Sequence, residues 1–223
     1  MTTKKVGEKL TGSKRTLPGR ASKKMTKNDK KKQLTKKALE MLKKMAKNEP
    51  EKYNSFWGDM GMILKGGIPE DMKNKDKIVE LLRAKTTKST EWRSLAQIKE
   101  EMVEGQDTIW YLSNMTSAEQ IGSLPILEGF KKRDWEVMLF TDAVDEWVTM
   151  TLNEYQEVPV KSVSQGEFDE EEDAETQEAK DKAQPLAEWL TELLADEVEE
   201  VRLSSRLTDS PSVLVDADGG ISS

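Results

Sequence analysis

The sequence predicts an α/β fold, and three observations carry that reading. Between residues 94 and 165, apolar runs of strand composition alternate with segments whose apolar residues recur at helical spacing. The run Trp135-Glu136-Val137-Met138-Leu139-Phe140 is too short for a helix and rich in apolar and aromatic residues, as a buried strand requires. Thr141-Asp142 breaks that run with side chains that favour turns and N-caps, and Val144, Trp147, Val148 and Leu152 then recur at helical spacing. The β-branched Val148, Thr149 and Thr151 leave a strand after residue 146 as the rival reading.

This pattern divides the chain into five segments. Residues 1–32 read as a disordered basic tail, 33–93 as a small helical subdomain, 94–165 as a small αβα layered sheet, 166–183 as an acidic linker, and 184–223 as the helix and two strands that begin an α+β domain. In the helical part, Leu34–Ala46 presents one apolar face and ends at Asn48-Glu49-Pro50, since proline cannot continue a helix. A second helix runs from Glu51 to Lys65, with Tyr53, Phe56, Trp57, Met60, Ile63 and Leu64 inward, and Gly66-Gly67 is expected to stop it. Asp76–Ala84 is a short third helix, and Lys85–Thr90 a polar connector. In the layered part, Ser94 caps a helix marked by Leu95, Ile98 and Met102, and Thr108–Leu112 has strand composition. Ser117–Gly122 is a helical turn and Leu124–Lys132 a helix with Leu127 and Phe130 buried. Val158–Val163 is a last strand, placed at an edge because Pro159 has no N–H. After the linker, Pro185 opens a helix carrying Leu186, Trp189, Leu190, Leu193 and Leu194, with strands beyond it at Val198–Leu203 and Ser212–Val215.

The composition excludes much chemistry. The chain holds 223 residues with no cysteine and no histidine. Disulfides, thiolate nucleophiles, zinc–thiolate sites, a Ser-His-Asp triad and the commonest general base are therefore absent. No apolar run approaches 18 residues and the basic N-terminus lacks an apolar core, so neither a membrane span nor a secretory signal is expected and the cytoplasm is the expected compartment. No Gly-rich phosphate loop comes after any expected strand. A carboxylate enzyme built on Asp142, Asp145 and Glu146 is the weakest reading, because clustered acids near a turn are usually solvated or capping groups. Charge is strongly segregated. Residues 1–32 carry twelve Lys/Arg against two acids, and 167–182 carry nine acids against two lysines, within a net charge of −7. Such blocks are usually solvated. The basic arm leaves nonspecific nucleic-acid or anionic-partner binding as the alternative function, without interleaved aromatics for base stacking.

A series of blocks in order resembles the ninety-kilodalton heat-shock chaperone family, bacterial type. They are Leu-Thr-Lys-Lys-Ala-Leu-Glu-Met-Leu (34–42), Glu-Lys-Tyr-Asn-Ser-Phe-Trp-Gly-Asp-Met-Gly (51–61), Ile-Leu-Lys-Gly-Gly-Ile (63–68), Glu-Leu-Leu-Arg (80–83) and Glu-Gly-Gln-Asp-Thr-Ile-Trp-Tyr-Leu (104–112). Leu-Glu-Gly-Phe-Lys-Lys-Arg (127–133), Glu-Val-Met-Leu-Phe-Thr-Asp-Ala-Val-Asp-Glu-Trp (136–147) and Val-Arg-Leu-Ser-Ser-Arg-Leu-Thr-Asp-Ser-Pro (201–211) complete the series. The resemblance implies that 34–165 is the later part of the family's middle domain and that 184–223 begins its C-terminal domain.

It also implies what the chain does. The family's ATP and magnesium belong to an N-terminal domain whose motifs do not occur here, so no cofactor, metal or ATP turnover is expected of this chain. The family's phosphate-sensing arginine lies in a Leu-Pro…Ser-Arg-Glu segment; here the region reads Leu-Pro-Gly-Arg-Ala-Ser-Lys-Lys, and Arg20 is a poor match. The helices that dimerise the family are not matched either, so a monomer is expected. What carries over is surface: Asp145, Glu146 and Trp147 match a client-binding helix, and Met150 stands one turn on where the bacterial pattern often has a polar amide. An exposed indole beside carboxylates offers an apolar face to unfolded segments and keeps the patch soluble; alternatively Trp147 packs on the sheet. The expected partners are non-native clients or co-chaperones.

Overall fold

The computed structural model describes residues 26–114, 117–164, 174–204 and 207–215. The chain divides into two compact units, residues 1–38 and 39–223. In the first, the start of helix α1 (Lys27–Asn48) is capped reciprocally. The Thr26 N–H and hydroxyl donate to the Asp29 carboxylate, and the Asp29 N–H donates back to the Thr26 hydroxyl at 3.1 Å.

In the second unit, six strands form one mixed sheet in the order β2-β1-β4-β3-β6-β5. They are β1 (Arg83–Thr86), β2 (Arg93–Ser94), β3 (Ile109–Ser113), β4 (Val137–Phe140), β5 (Glu154–Tyr155) and β6 (Val158–Ser162). The three strands β4, β3 and β6 are parallel, because each return passes over helices, and the remaining pairs are antiparallel. Side chains alternate across the sheet with a period of two. Ile109, Tyr111, Met138 and Phe140 face one apolar layer with Tyr53, Trp57, Ile68, Leu81, Leu82 and Val148. Trp110, Leu112, Val137 and Leu139 face the other, with Ile121, Ile126, Leu127 and Phe130. There Trp110 stacks on Trp135 and meets the Phe130 ring edge-on, with centroids 6.4 and 5.3 Å apart. The αβα layering is as the alternation of strand and helix patterns requires.

The helices arise from local chemistry. Helix α4 (Leu95–Glu100) starts at the Ser94 capping box: the Gln97 N–H donates to the Ser94 hydroxyl at 3.2 Å and the Ser94 N–H donates to the Gln97 side chain at 2.9 Å. Helix α5 (Ala118–Ile121) is capped in the same sense by Ser117. A 3-10 turn at Pro125–Leu127 leads into α6 (Glu128–Lys132).

Several expectations are corrected. Helix α2 (Pro50–Glu70) does not stop at Gly66-Gly67. Gly67 admits a close neighbour instead: a Cβ there would stand 3.0 Å from Ile78 Cδ1, whereas one on Gly66 would make an ordinary contact with Val144 at 3.9 Å. Helix α3 ends early, at Lys75–Val79, and β1 comes next. The Leu81 carbonyl accepts from the Tyr53 hydroxyl at 2.7 Å and the Leu82 carbonyl from the Arg83 guanidinium at 2.8 Å. Residues 83–86 and 93–94 therefore belong to the sheet, which crosses the expected boundary at 93/94. Glu136 helps hold this side, accepting from the Thr86 hydroxyl at 2.6 Å and pairing with Arg93 at 3.3 Å.

Pro159 is not on the outermost strand, because β5 pairs with β6 through Glu154↔Pro159 and Tyr155↔Val158. The hairpin turns at Gln156 and Glu157, both with positive φ, the primed geometry that matches strand twist. Helix α8 (Ala174–Leu193) begins well before Pro185 and includes part of the expected linker; residues 165–173 lie outside the described residues, as do 1–25 of the expected tail. The described residues of 198–203 and 212–215 form no strand, and the Val201 N–H donates to the Thr191 hydroxyl at 3.0 Å.

Gly61 sits inside α2 with the buried Trp57 ring over it, and a Cβ there would lie 2.8 Å from the ring. Gly61→Ala, which gains about 1 kcal/mol in an open helix, is expected here to destabilise by about 1–3 kcal/mol through overpacking. Urea unfolding checks the sign.

Candidate functional site

The turn after β4 carries the site. Helix α7 (Asp145–Thr149) is only five residues long and cannot stand by itself. Its base is fixed by charge. Lys65, projecting from α2, reaches Asp145 Oδ1 at 2.7 Å and Asp142 Oδ2 at 2.9 Å. The Lys65 and Asp145 side chains are 4% and 0% exposed, whereas Asp142 is 37% exposed. The Asp142 N–H donates to Asp145 Oδ2 at 3.0 Å, and the Asp145 N–H donates to the Asp142 carbonyl at 2.9 Å. The helix has no side-chain cap at its N-cap residue, Val144, where Thr141-Asp142 was expected to supply one; Asp145 instead ties the preceding turn. Burial pushes the Asp145 carboxyl up, against the opposing pull of the Lys65 ammonium and the Asp142 N–H. The ammonium also lies 5.4 Å from the centre of the Phe140 ring.

Above this base α7 divides into two faces. Val148 is fully buried in the first apolar layer. Trp147 and Met150, three residues apart, are 64% and 62% exposed, and Glu146 is exposed beside them. Trp147 thus does not pack on the sheet. Of the four residues singled out in the sequence, the structure brings Glu146, Trp147 and Met150 to one surface and buries Asp145 beneath it. Lys65 is the member that sequence reasoning missed, since a lysine on an expected helix carried no sign of its partners 77 and 80 residues away.

Arg20 lies outside the described residues. Among the described residues, no group of acidic residues could hold a metal ion, and no helix is long and apolar enough to cross a membrane. The carboxylates of Asp142 and Asp145 are ion-paired to Lys65, and that of Glu146 is exposed.

A mixed sheet between two helical layers is an architecture this chain shares with a heat-shock protein middle domain. The middle domain of a heat-shock protein of Plasmodium falciparum is similar over 60% of this chain and 57% of its own, with a TM-score of 0.56 and 25% identity. The family described as Hsp90 protein matches residues 21–223. Chaperone protein HtpG of Methylococcus capsulatus is 42% identical over 199 residues, covering 84% of this chain and 31% of its own. HtpG of Francisella tularensis subsp. tularensis is 43% identical over 202 residues, covering 86% and 32%. The chain belongs to the Hsp90 family of chaperones, and it spans just under a third of the length of these curated relatives.

Removing Lys65 would leave the Asp145 carboxylate buried beside no cation. Lys65→Met is expected to cost about 3–5 kcal/mol, and adding Asp145→Leu to recover most of the loss. A double-mutant cycle by urea denaturation measures both.

Proposed function

We propose that this chain docks non-native protein on the exposed face of α7, through Trp147 and Met150 with Glu146 at their rim. One observation carries the reading: two large apolar side chains, each more than three-fifths exposed, stand on a helix anchored by a buried ion pair. Large aromatic and thioether side chains adapt to many apolar partners, and a rigid base limits the entropy lost when one is bound. Asp145 serves the same reading from below, by setting the position of the helix. Co-chaperone surfaces of similar apolar character are the other partners the patch fits. We read no ATP turnover into this chain, because no Gly-rich phosphate loop comes after any strand among the described residues.

The test is fluorescence anisotropy with a permanently unfolded, reduced and alkylated protein as client. Trp147→Ala combined with Met150→Ala is expected to weaken binding about tenfold or more, in the range of interface hot spots, with the thermal midpoint unchanged. Equal affinity in the variant removes the site. Isothermal titration with ATP and magnesium is expected to show no heat of binding, and clear affinity would overturn the nucleotide reading.

A further inference from the structure

Glu128, the first residue of α6, holds a second and separate contact. Its Oε2 accepts from three successive backbone N–H groups, Thr208 at 2.7 Å, Asp209 at 3.0 Å and Ser210 at 3.3 Å. The Thr208 hydroxyl reaches the same oxygen at 3.4 Å, and the Ser210 hydroxyl donates to Oε1 at 2.5 Å. Consecutive N–H groups converging on one anion make a backbone cradle, and hydrogen bonds to an ionised acceptor are stronger than neutral ones.

The segment in this cradle has no regular structure. The described residues of 194–204 and 207–215 form neither helix nor strand. Val213 packs against the second apolar layer, while Leu214 beside it is 81% exposed. Upstream, the Val201 N–H donates to Thr191 of α8, which folds the segment back along that helix. The carboxylate thus stands between α6, on the outer side of the sheet, and the segment that comes after α8.

We propose that Glu128 is a tether: a positioning residue that holds segment 207–215, and through it α8, against the outer layer of the sheet, and whose charge can be removed without unfolding that sheet. The inference is independent of client docking at α7, which lies with the opposite apolar layer. The hydrogen bonds from Ser210 and from the Thr208, Asp209 and Ser210 backbone pull the Glu128 carboxyl down to about 2, so the anion persists at neutral and mildly acid pH. The contact sits at a half-buried edge, so it opens by trading protein donors for water and leaves the packed layers intact.

Hydrogen exchange by mass spectrometry on the full chain tests this, with Glu128→Ala, Glu128→Gln and Ser210→Ala. Glu128→Ala is expected to speed exchange at the 208–210 amides by roughly tenfold or more. Glu128→Gln, which keeps the shape and one carbonyl acceptor, and Ser210→Ala, which removes one hydroxyl, are expected to give smaller increases. Protection at 109–113 and 137–140 should stay unchanged in all three. The chain has no cysteine, so spin labels at Glu119→Cys and Leu214→Cys report the spacing directly, and Glu128→Ala should broaden their distance distribution. Unchanged exchange at 208–210, an unchanged distance distribution, or parallel loss of protection in β3 and β4 would each overturn the proposal.

Discussion

The ion cluster of Lys65, Asp142 and Asp145 is the constraint on which the arrangement of the second unit turns. Taking a lysine and an aspartate out of water is costly, and the penalty is offset only when they meet at close range with their remaining hydrogen-bonding capacity used. Here the ammonium spans both carboxylates, and Asp145 Oδ2 accepts from both the ammonium and the Asp142 N–H, while Oδ1 is held by the ion pair alone. The requirement acts over a long range. It brings the C-terminal half of α2 to the end of β4, and on that same half of α2 Gly67 lets Ile78 come close. Of the two glycines that read locally as a stop, Gly67 serves a tertiary approach, and the helix continues through both.

That anchor divides the labour along a single short helix. Asp145 and Val148 point inward and fix α7, so Glu146, Trp147 and Met150 are presented outward on a helix too short to form alone. Neighbouring positions in one motif therefore have opposite physical roles. The match to the Hsp90 family spans the motif without distinguishing its members, and the structure separates its buried carboxylate from its exposed residues.

Legibility from sequence varied with the range of the force involved. The central strands were readable because burial on both faces leaves an apolar run, as at Val137–Phe140. Ser94 was readable because a cap acts within three residues. Strand β1 was not, since Arg-Ala-Lys-Thr has little strand character and is extended by its pairing with β4 and by the side chains that take the Leu81 and Leu82 carbonyls. The hairpin at Gln156-Glu157 was missed because a primed turn ordinarily announces itself with glycine or asparagine. Trp147 and Met150 were singled out in the sequence and stand exposed, whereas Lys65 and the partners of Glu128, about eighty residues away in each case, left no local trace.

The margins of the sheet bear on how such a protein can meet an unfolded chain. Its outermost strands, β2 and β5, are two residues each. So little free backbone gives an incoming polypeptide almost no ladder to extend, and edge-to-edge polymerisation is discouraged for the same reason. Capture by strand addition is thereby disfavoured, and under the docking proposed for α7 an extended segment would meet side-chain surface and could leave again without being templated into a sheet.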